Sequence, residues 1–254
     1  MNVLRNKIVI STRPKGKSEE LAQLLDKQGA TLLELPMIEI KAASNIEFSK
    51  EELEQVNWLV FTSLNGVRYF FQFIEEKKWT IANDCKVISI GKRTTKELAR
   101  YGIEPFYENK GNTSFELIGQ LCDIFTEEEQ RTILLPTGTL APDRLSEALS
   151  EYGKSLRLNV YQTVMPDAFD AKIIEQVEKN IYDIIVFTSP SGITFFKQKF
   201  QQTLALESLP ICCIGEVTAQ AALKNGFNPK MIAPMASLEG IFQAINNYFT
   251  QQQE

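Results

Sequence analysis

The chain contains the same short motifs twice, about 125 residues apart. The segment Val60–Val67 (VFTSLNGV) returns as Val186–Ile193 (VFTSPSGI), and Ile90–Thr94 (IGKRT) returns as Ile214–Thr218 (IGEVT). Solenoid and propeller repeats have periods of about 20–50 residues, so a period this long indicates a duplicated domain. Two copies of a strand–polar turn–helix unit also predict a cleft between two similar walls, where we expect a functional site.

Each half of the sequence alternates short apolar runs with amphipathic helical patterns. The run Lys7–Ser11 is β-rich, and Ser18–Gly29 then places leucines on one helical face. The run Asp183–Thr188 ends at Ser189-Pro190, which supplies a helix N-cap and a first-turn proline. This alternation predicts an α/β fold whose sheets are mostly parallel and covered by helices on both faces.

Several local features of this pattern are predicted in more detail. Thr94 with Glu97, and Thr113 with Glu116, have the spacing of a capping box. The run Thr132–Leu135 is predicted as a strand that gives way to a turn at residues 136–138. Two extended, proline-flanked stretches, 36–40 and 160–166, break the βα rhythm at equivalent places and are predicted as paired crossover strands between two lobes.

Composition narrows the possible chemistry. No apolar run among the 254 residues approaches the 18–20 or so that span a membrane, and the first 13 residues lack a signal-peptide layout, so we expect a cytoplasmic protein. The net charge of −5 argues against nucleic-acid binding. The absence of histidine removes the usual general base and most zinc sites. The four cysteines lack metal-ligand spacing and are predicted to be small buried hydrophobes, with Cys212 and Cys213 on opposite faces of a strand.

The loops expected at the carboxyl ends of the strands are rich in glycine and hydroxyl groups. Helix N-termini at such loops present free N–H groups that bind anions. No GxGxxG or GxxxxGK[ST] motif occurs, so a phosphate fingerprint is absent. The serines and threonines could be helix caps alone, and the glycines could simply permit tight turns. Arg13, Arg68 and Lys92 are candidate partners for carboxylates, and a solvated surface role is the alternative for each.

Taken together, the FTSLNG and FTSPSG turns, the two IGxxT segments and a VYQT crossover resemble the uroporphyrinogen-III synthase family along the whole chain. The resemblance implies two flavodoxin-like lobes with parallel sheets, joined by two extended β connections. It implies lobes of residues 1–37 with 167–254, and of residues 38–166. It also implies a lyase of porphyrin, tetrapyrrole and heme biosynthesis, which cyclises hydroxymethylbilane, a linear tetrapyrrole with eight carboxylates, and inverts ring D. No cofactor or metal is expected.

The resemblance also suggests roles for individual residues. Tyr161 aligns with the family's crossover-strand tyrosine, and we predict that it donates a hydrogen bond to the leaving hydroxyl group; the alternative is a packing aromatic. The predicted substrate-binding residues are Arg13, Ser63, Gly66, Arg68, Gly91, Lys92, Thr94, Ser189, Ser191, Gly192 and Thr218. Family members often carry Arg-Gly where this chain has Thr137-Gly138, so one anion contact is missing; Arg144 is a possible replacement.

Two other functions stay open on the sequence. The first is a non-catalytic relative that binds a tetrapyrrole or a small anion without accelerating ring closure. The second is a two-lobed enzyme that acts on a nucleotide sugar or a sugar phosphate. A monomer is expected, since it suits a cleft enzyme whose lobes must open and close.

Overall fold

The computed structural model of the chain describes residues 2–109, 111, 113–126 and 130–252. Contacts divide the chain into two compact units. Unit 1 consists of residues 1–39 and 164–254, and unit 2 consists of residues 40–163. These divisions fall within a few residues of the positions 37/38 and 166/167 expected from the sequence.

Most strands are short, and β1, β4, β5, β7, β9 and β10 are largely buried, as the apolar runs predict. In chain order they are β1 Ile8–Ser11, β2 Thr31–Glu34, β3 Glu39–Ala42, β4 Trp58–Phe61, β5 Lys86–Ile90, β6 Tyr107–Asn109, β7 Thr132–Gly138, β8 Lys154–Val164, β9 Ile184–Phe187, β10 Ile211–Cys213 and β11 Met231–Ile232.

The helices connect successive strands, and several begin at a serine, threonine or aspartate whose side chain accepts a backbone N–H. In chain order they are α1 Glu19–Asp26, α2 Lys50–Glu54, α3 Leu64–Glu76, α4 Lys92–Ala99, α5 Ser114–Ile118, α6 Leu121–Ile124, α7 Arg144–Ser150, α8 Ala171–Glu178, α9 Pro190–Phe200, α10 Glu216–Lys224 and α11 Leu238–Gln251, with a short 3₁₀ turn at Leu206–Ser208.

Unit 1 is built on a sheet with the strand order β2-β1-β9-β10-β11, and its strand pairs are parallel. Counted within the unit, this is the 2-1-3-4-5 order of flavodoxin-like folds. Neighbouring residues of one strand enter different cores: Val9 belongs to one apolar cluster and Ile10 to another. Helices therefore cover both faces of the sheet, as the sequence predicts.

Unit 2 is built on a sheet with the order β3-β8-β7-β4-β5-β6. The pairs from β8 to β6 are parallel. The two extended stretches overlap in part with β3 and β8, which lie side by side at the edge of this sheet. Trp58 and Leu59 on β4 enter different apolar clusters, so this sheet is also covered on both faces. The α/β class with mostly parallel sheets is confirmed.

A register shift interrupts the pairing of β7 with β8. Thr137 pairs with Asn159, whereas Gly138 pairs with Tyr161, so Val160 is an additional residue on β8. Such a β-bulge changes the direction of the side chains that follow it, and bulges are frequent beside active sites. This bulge immediately precedes the tyrosine that the sequence singles out.

The predicted turn at residues 136–138 is wrong, because β7 continues through Gly138. The pairing of β7 with β4 includes only Ile133 and Leu134. Pro136 therefore interrupts no described pair with β4, although proline has no N–H to contribute to a ladder. This local geometry, which is invisible in the sequence, permits a proline inside the strand.

The capping boxes give one correct and one wrong prediction. Thr113 and Glu116 form the reciprocal hydrogen bonds of a capping box at the start of α5. Helix α4 instead begins at Lys92 with Gly91 as its N-cap, so Thr94 lies in the first turn and is buried. The positive φ of Gly91, 77°, is readily adopted by glycine and explains why the helix begins earlier than predicted.

The cysteine prediction is partly wrong. Cys212 and Cys213 are buried and lie in different apolar clusters, as expected for neighbours on a strand. Burial raises the pKa of Cys213 to about 12. Cys85 is only half-buried, and Cys122 is exposed.

In the part of the chain that the structure describes, no helix is both long and apolar enough to cross a membrane.

Candidate active site

The phenol of Tyr161 lies at the carboxyl edge of the unit 2 sheet. Its oxygen is 3.3 Å from Oγ of Ser63, which directly follows β4. Its ring packs so closely on Gly138, at the end of β7, that a Cβ there would lie 2.5 Å from Tyr161 Cε2. The ring of Tyr69 on α3 also stacks on the Tyr161 ring, with the ring centroids 5.8 Å apart. Three elements thus fix the phenol at an edge where parallel α/β sheets bind ligands.

Ser63 connects this phenol to the start of α3. Its Oγ accepts the N–H of Gly66 at 3.0 Å and so caps the helix. Because Oγ is the acceptor in that bond, its single hydrogen is available for the phenolic oxygen of Tyr161. A glycine is required at position 66 because the backbone of Pro136 approaches it closely. A Cβ on Gly66 would lie 2.8 Å from the carbonyl oxygen of Pro136. The predicted residues Ser63, Gly66 and Tyr161 therefore form one cluster.

The corresponding edge of unit 1 presents a similar turn without a tyrosine. Ser189 caps α9 by accepting the N–H of Gly192 at 3.2 Å, and its Oγ lies 3.1 Å from Oγ of Ser191. The hydroxyl of Thr12, at the end of β1, donates to the carbonyl of Val186. A Cβ on Gly192 would lie 3.6 Å from Thr12 Oγ1, so these groups are neighbours. The structure brings three predicted residues of unit 1 together at one helix N-terminus.

We expect Ser63→Ala and Ser189→Ala each to lower the free energy of unfolding by about 1 kcal/mol, because each removes an N-cap. Urea denaturation without any ligand measures the loss. Ser63→Asp and Ser189→Asp are the matched controls, since aspartate caps helices about as well as serine. Equal stability of the alanine and aspartate variants would contradict the capping role of these two serines.

The threonines of the two IGxxT motifs lie in the first turns of α4 and α10, on the buried side of each helix. Thr94 in α4 and Thr218 in α10 are each 3% exposed. The helix N-caps are Gly91 and Gly215, and the exposed side chains of the first turns are those of Lys92 and Arg93 in α4 and of Glu216 and Val217 in α10. The sequence prediction requires each threonine hydroxyl to lie at the surface of its loop. In the structure both threonines are instead buried.

Arg68 is held within unit 2 by an ion pair. Its Nε and Nη2 donate to the two carboxylate oxygens of Glu97 on α4, at 2.6 and 3.0 Å. Arg100 also donates to Glu97. The nearby guanidinium groups, Arg68 first, hold the pKa of Glu97 below its ordinary value. The Arg68 side chain is 44% exposed, so the N–H groups directed away from Glu97 can still reach a ligand.

Glu97→Gln is expected to lower the free energy of unfolding by about 1 kcal/mol at pH 7, a modest value because Arg68 and Arg100 are exposed. The pKa of Glu97 is lower in the folded state, so the stabilisation is complete above the ordinary glutamate value of 4.5. It disappears as the pH falls through the folded-state pKa. Urea denaturation at several pH values should show the difference between wild type and Glu97→Gln narrowing below pH 4.5.

Glu104→Gln is the matched control for this experiment. Glu104 is an exposed glutamate in the loop after α4, and its replacement should leave the free energy of unfolding unchanged at every pH. The ion-pair explanation would be contradicted if wild type and Glu97→Gln differed in their free energy of unfolding by the same amount at pH 7 and at acidic pH.

The other predicted cations differ in their surroundings. The Nε of Arg13 donates to the carbonyl of Lys17 at 2.7 Å, so this guanidinium folds back on its own loop. Lys92 is exposed at the first position of α4. The guanidinium carbon of Arg144 lies 4.9 Å from the ring centroid of Phe115.

The sequence prediction missed three residues around Tyr161. Tyr69 stacks on it, Gly138 packs against it, and Arg157 on β8 donates to the carbonyl of Gly138 at 3.2 Å. A signal for Arg157 was present: Arg157 and Asn159 alternate along β8 with the buried Leu158 and Val160. That alternation marks one polar face of a strand.

The site contains hydroxyl groups, amides and cations rather than metal ligands. Among the residues that the structure describes, no group of three or more histidine, cysteine, aspartate and glutamate side chains could hold a metal ion. In unit 2 the arrangement provides a hydroxyl donor, Tyr161, beside the N-terminus of α3, which favours anions. It therefore suits acid assistance to a leaving group on a substrate that carries negative charge.

Comparisons with known proteins identify the family of the chain. The family model of uroporphyrinogen-III synthase HemD matches residues 19–243. The uroporphyrinogen-III synthase of Chlorobaculum parvum is 25% identical over 89% of this chain and 92% of its own length. Two solved structures share the fold: a variant uroporphyrinogen III synthase of Thermus thermophilus (TM-score 0.65, 17% identity, 97% of this chain and 99% of that one) and the uroporphyrinogen-III synthetase of Helicobacter pylori (TM-score 0.62, 19% identity, 96% and 99%). Because the family model covers most of its length, the chain belongs to the uroporphyrinogen-III synthase family.

Proposed function

We propose that the chain cyclises hydroxymethylbilane to uroporphyrinogen III with inversion of ring D, and that Tyr161 is its catalytic residue. The cyclisation is the reaction of the family to which the chain belongs. The observation that carries the assignment of Tyr161 is its phenol at the carboxyl edge of the unit 2 sheet, 3.3 Å from Ser63 Oγ.

The reaction requires the substrate's terminal hydroxyl group to leave. In the proposed step the C–O bond breaks, its electron pair stays with oxygen, and the phenolic proton of Tyr161 completes a water molecule. Ser63 can donate its hydrogen to the phenolic oxygen, and the N-terminus of α3 favours the negative charge that develops there. The azafulvene-like cation then closes through a spiro intermediate, which fragments and closes again. The pyrrole proton released at closure restores the phenol.

The carboxylates of the substrate need donors that do not depend on histidine. We propose that hydroxyls and backbone amides at the helix starts supply most of them, with Ser63, Ser189 and Ser191 among the donors. The N–H groups of Gly66, Gly91 and Gly192 are hydrogen-bonded within the protein, so we propose that these glycines shape the turns that present the donors. Lys92, Arg13 and the outward N–H groups of Arg68 add positive charge. For the buried Thr94 and Thr218 we propose an indirect part, which is to shape the first turns of α4 and α10.

We further propose that the protein acts as a cytoplasmic monomer in heme biosynthesis, without a cofactor and without binding nucleic acid or membranes. The absence of histidine and the net charge of −5 support this proposal. Sedimentation of the purified protein tests the monomer: a single species near 28.8 kDa is expected, and a species of twice that mass would contradict it.

Turnover separates this function from its alternatives. Hydroxymethylbilane generated in situ should disappear faster with the protein than without it. A tetrapyrrole-binding relative would be stabilised thermally by the product or the substrate, without accelerating closure. An enzyme of nucleotide sugars would instead be stabilised by a nucleotide. Stabilisation without turnover, measured on folded protein, would reject the catalytic proposal.

A further inference from the structure

The guanidinium of Arg157 connects three parts of unit 2 beside the catalytic cluster. Its Nε donates to Oδ1 of Asn159 at 3.1 Å, and its Nη2 donates to the carbonyl of Gly138 at 3.2 Å. Its Nη1 donates to Oδ1 of Asp143, which precedes α7. The Arg157 side chain is only 19% exposed, although the residue lies on a strand near the sheet edge. All three of its nitrogens are therefore engaged.

These contacts surround the β-bulge that precedes Tyr161. Asn159 lies just before the additional residue Val160, and Gly138 lies opposite Tyr161 just after it. The N–H of Thr139 then donates to the carbonyl of Tyr161 at 3.0 Å, so regular contact between the strands resumes beyond the bulge. Arg157 thus donates hydrogen bonds to residues on both sides of the β-bulge, and this bulge sets the direction of the Tyr161 side chain.

We propose that Arg157 is a positioning residue, which holds the bulge and Gly138 in the arrangement that places the Tyr161 phenol beside Ser63. This inference rests on the proposed function of Tyr161. A displacement of about 1 Å in an active site can cost roughly 10²-fold in rate. Gly138 packs directly on the tyrosine ring, so its movement is transmitted to the phenol.

Steady-state kinetics on Arg157→Met test this role. We expect kcat to fall about 10-fold or more, with KM for hydroxymethylbilane changed less than about twofold, because the phenol moves and substrate carboxylates keep their donors. Arg157→Lys should lose much of the rate too, because an ammonium cannot reproduce three donors in a planar fork. Lys154→Met is the matched control: it removes the same charge from the exposed first residue of β8 and should leave kcat unchanged.

A double-mutant cycle distinguishes positioning from general structural support. In a Tyr161→Phe background, Arg157→Met should lower kcat less than about twofold, since the group that it positions is absent. An equal loss of rate in both backgrounds would overturn the proposal. So would an unchanged kcat with a KM raised several-fold, which would mean that Arg157 binds a substrate carboxylate. Should Arg157→Met fail to fold, the same cycle with Arg157→Lys decides the question.

An NMR measurement keeps the inference separate from the proposed function. Protein labelled with [ζ-13C]tyrosine gives a Tyr161 signal that is identified by its loss in Tyr161→Phe. This signal should shift in Arg157→Met and stay in place in Lys154→Met, whether or not the protein turns over substrate. A Tyr161 signal that is unchanged in both Arg157 variants would overturn the positioning role. If wild type shows no turnover while the signal shifts, the proposed function fails and the positioning contact stands.

Discussion

Tyr161→Phe is expected to lower kcat for hydroxymethylbilane by roughly 10²-fold or more, because general acid assistance typically contributes 10²–10⁴-fold. The substitution removes one oxygen and keeps the ring that packs against Gly138 and Tyr69. The contact with Ser63 at 3.3 Å is also lost, but the Ser63 cap on Gly66 remains. The free energy of unfolding should therefore change by less than about 1 kcal/mol.

Tyr152→Phe is the matched control for this substitution. Tyr152 is a half-buried tyrosine of the same unit that packs with Phe125, away from the Tyr161 cluster. Its replacement removes the same hydroxyl group and should leave kcat unchanged. An unchanged kcat in Tyr161→Phe itself, with a normal fold, would show that this tyrosine is a packing residue and that another group assists the leaving hydroxyl.

Gly138→Ala is expected to lower kcat by roughly 10²-fold while the protein stays folded. The added Cβ would lie 2.5 Å from Cε2 of the Tyr161 ring, so the ring must move. The obstructing atoms belong to a side chain, whereas a Cβ at Gly66 would meet the backbone oxygen of Pro136. We therefore expect displacement of the phenol, at a cost of about 1–3 kcal/mol in the free energy of unfolding. Steady-state kinetics and urea denaturation measure the two effects.

Gly119→Ala tests whether any glycine substitution in unit 2 has this effect. A Cβ at Gly119, which follows α5, would have its nearest atom at 3.7 Å, an ordinary contact distance. Its kcat should match that of wild type. A Gly138→Ala enzyme with wild-type kcat would mean that the ring position does not matter, and it would remove the geometric basis for both Tyr161 and Arg157.

Most of the architecture could be predicted because the signals for it are local. Apolar runs such as Asp183–Thr188 set the strands, and Ser189 before Pro190 marks the start of α9 as the structure has it. Alternation of strands and helices then leads to parallel sheets. Two local predictions were wrong: Pro136 lies inside β7, and Gly91 rather than Thr94 is the N-cap of α4. Pro136 is tolerated because it interrupts no described pair with β4, and the positive φ of Gly91 permits the earlier start of α4.

The sequence predicted which types of residue form the candidate site. It did not predict which of these residues contact one another. The FTSLNG and VYQT motifs identify Ser63 and Tyr161, but their separation in sequence does not reveal that the two oxygens lie 3.3 Å apart. The bulge at Val160 depends on how β7 and β8 pair, which no single-strand pattern specifies. For Arg68, the charge alone suggests a contact with the substrate. The fold places Glu97 beside it as an ion-pair partner, and the sequence pattern does not reveal this.

The isomer composition of the product tests the central claim most directly. Hydroxymethylbilane would be generated in situ with wild type or Tyr161→Phe, and the oxidised porphyrins separated by chromatography. We predict that wild type yields mainly the type III isomer, while Tyr161→Phe yields mainly the type I isomer of uncatalysed closure. Type I alone from folded wild-type protein would contradict the assignment of ring inversion to this chain.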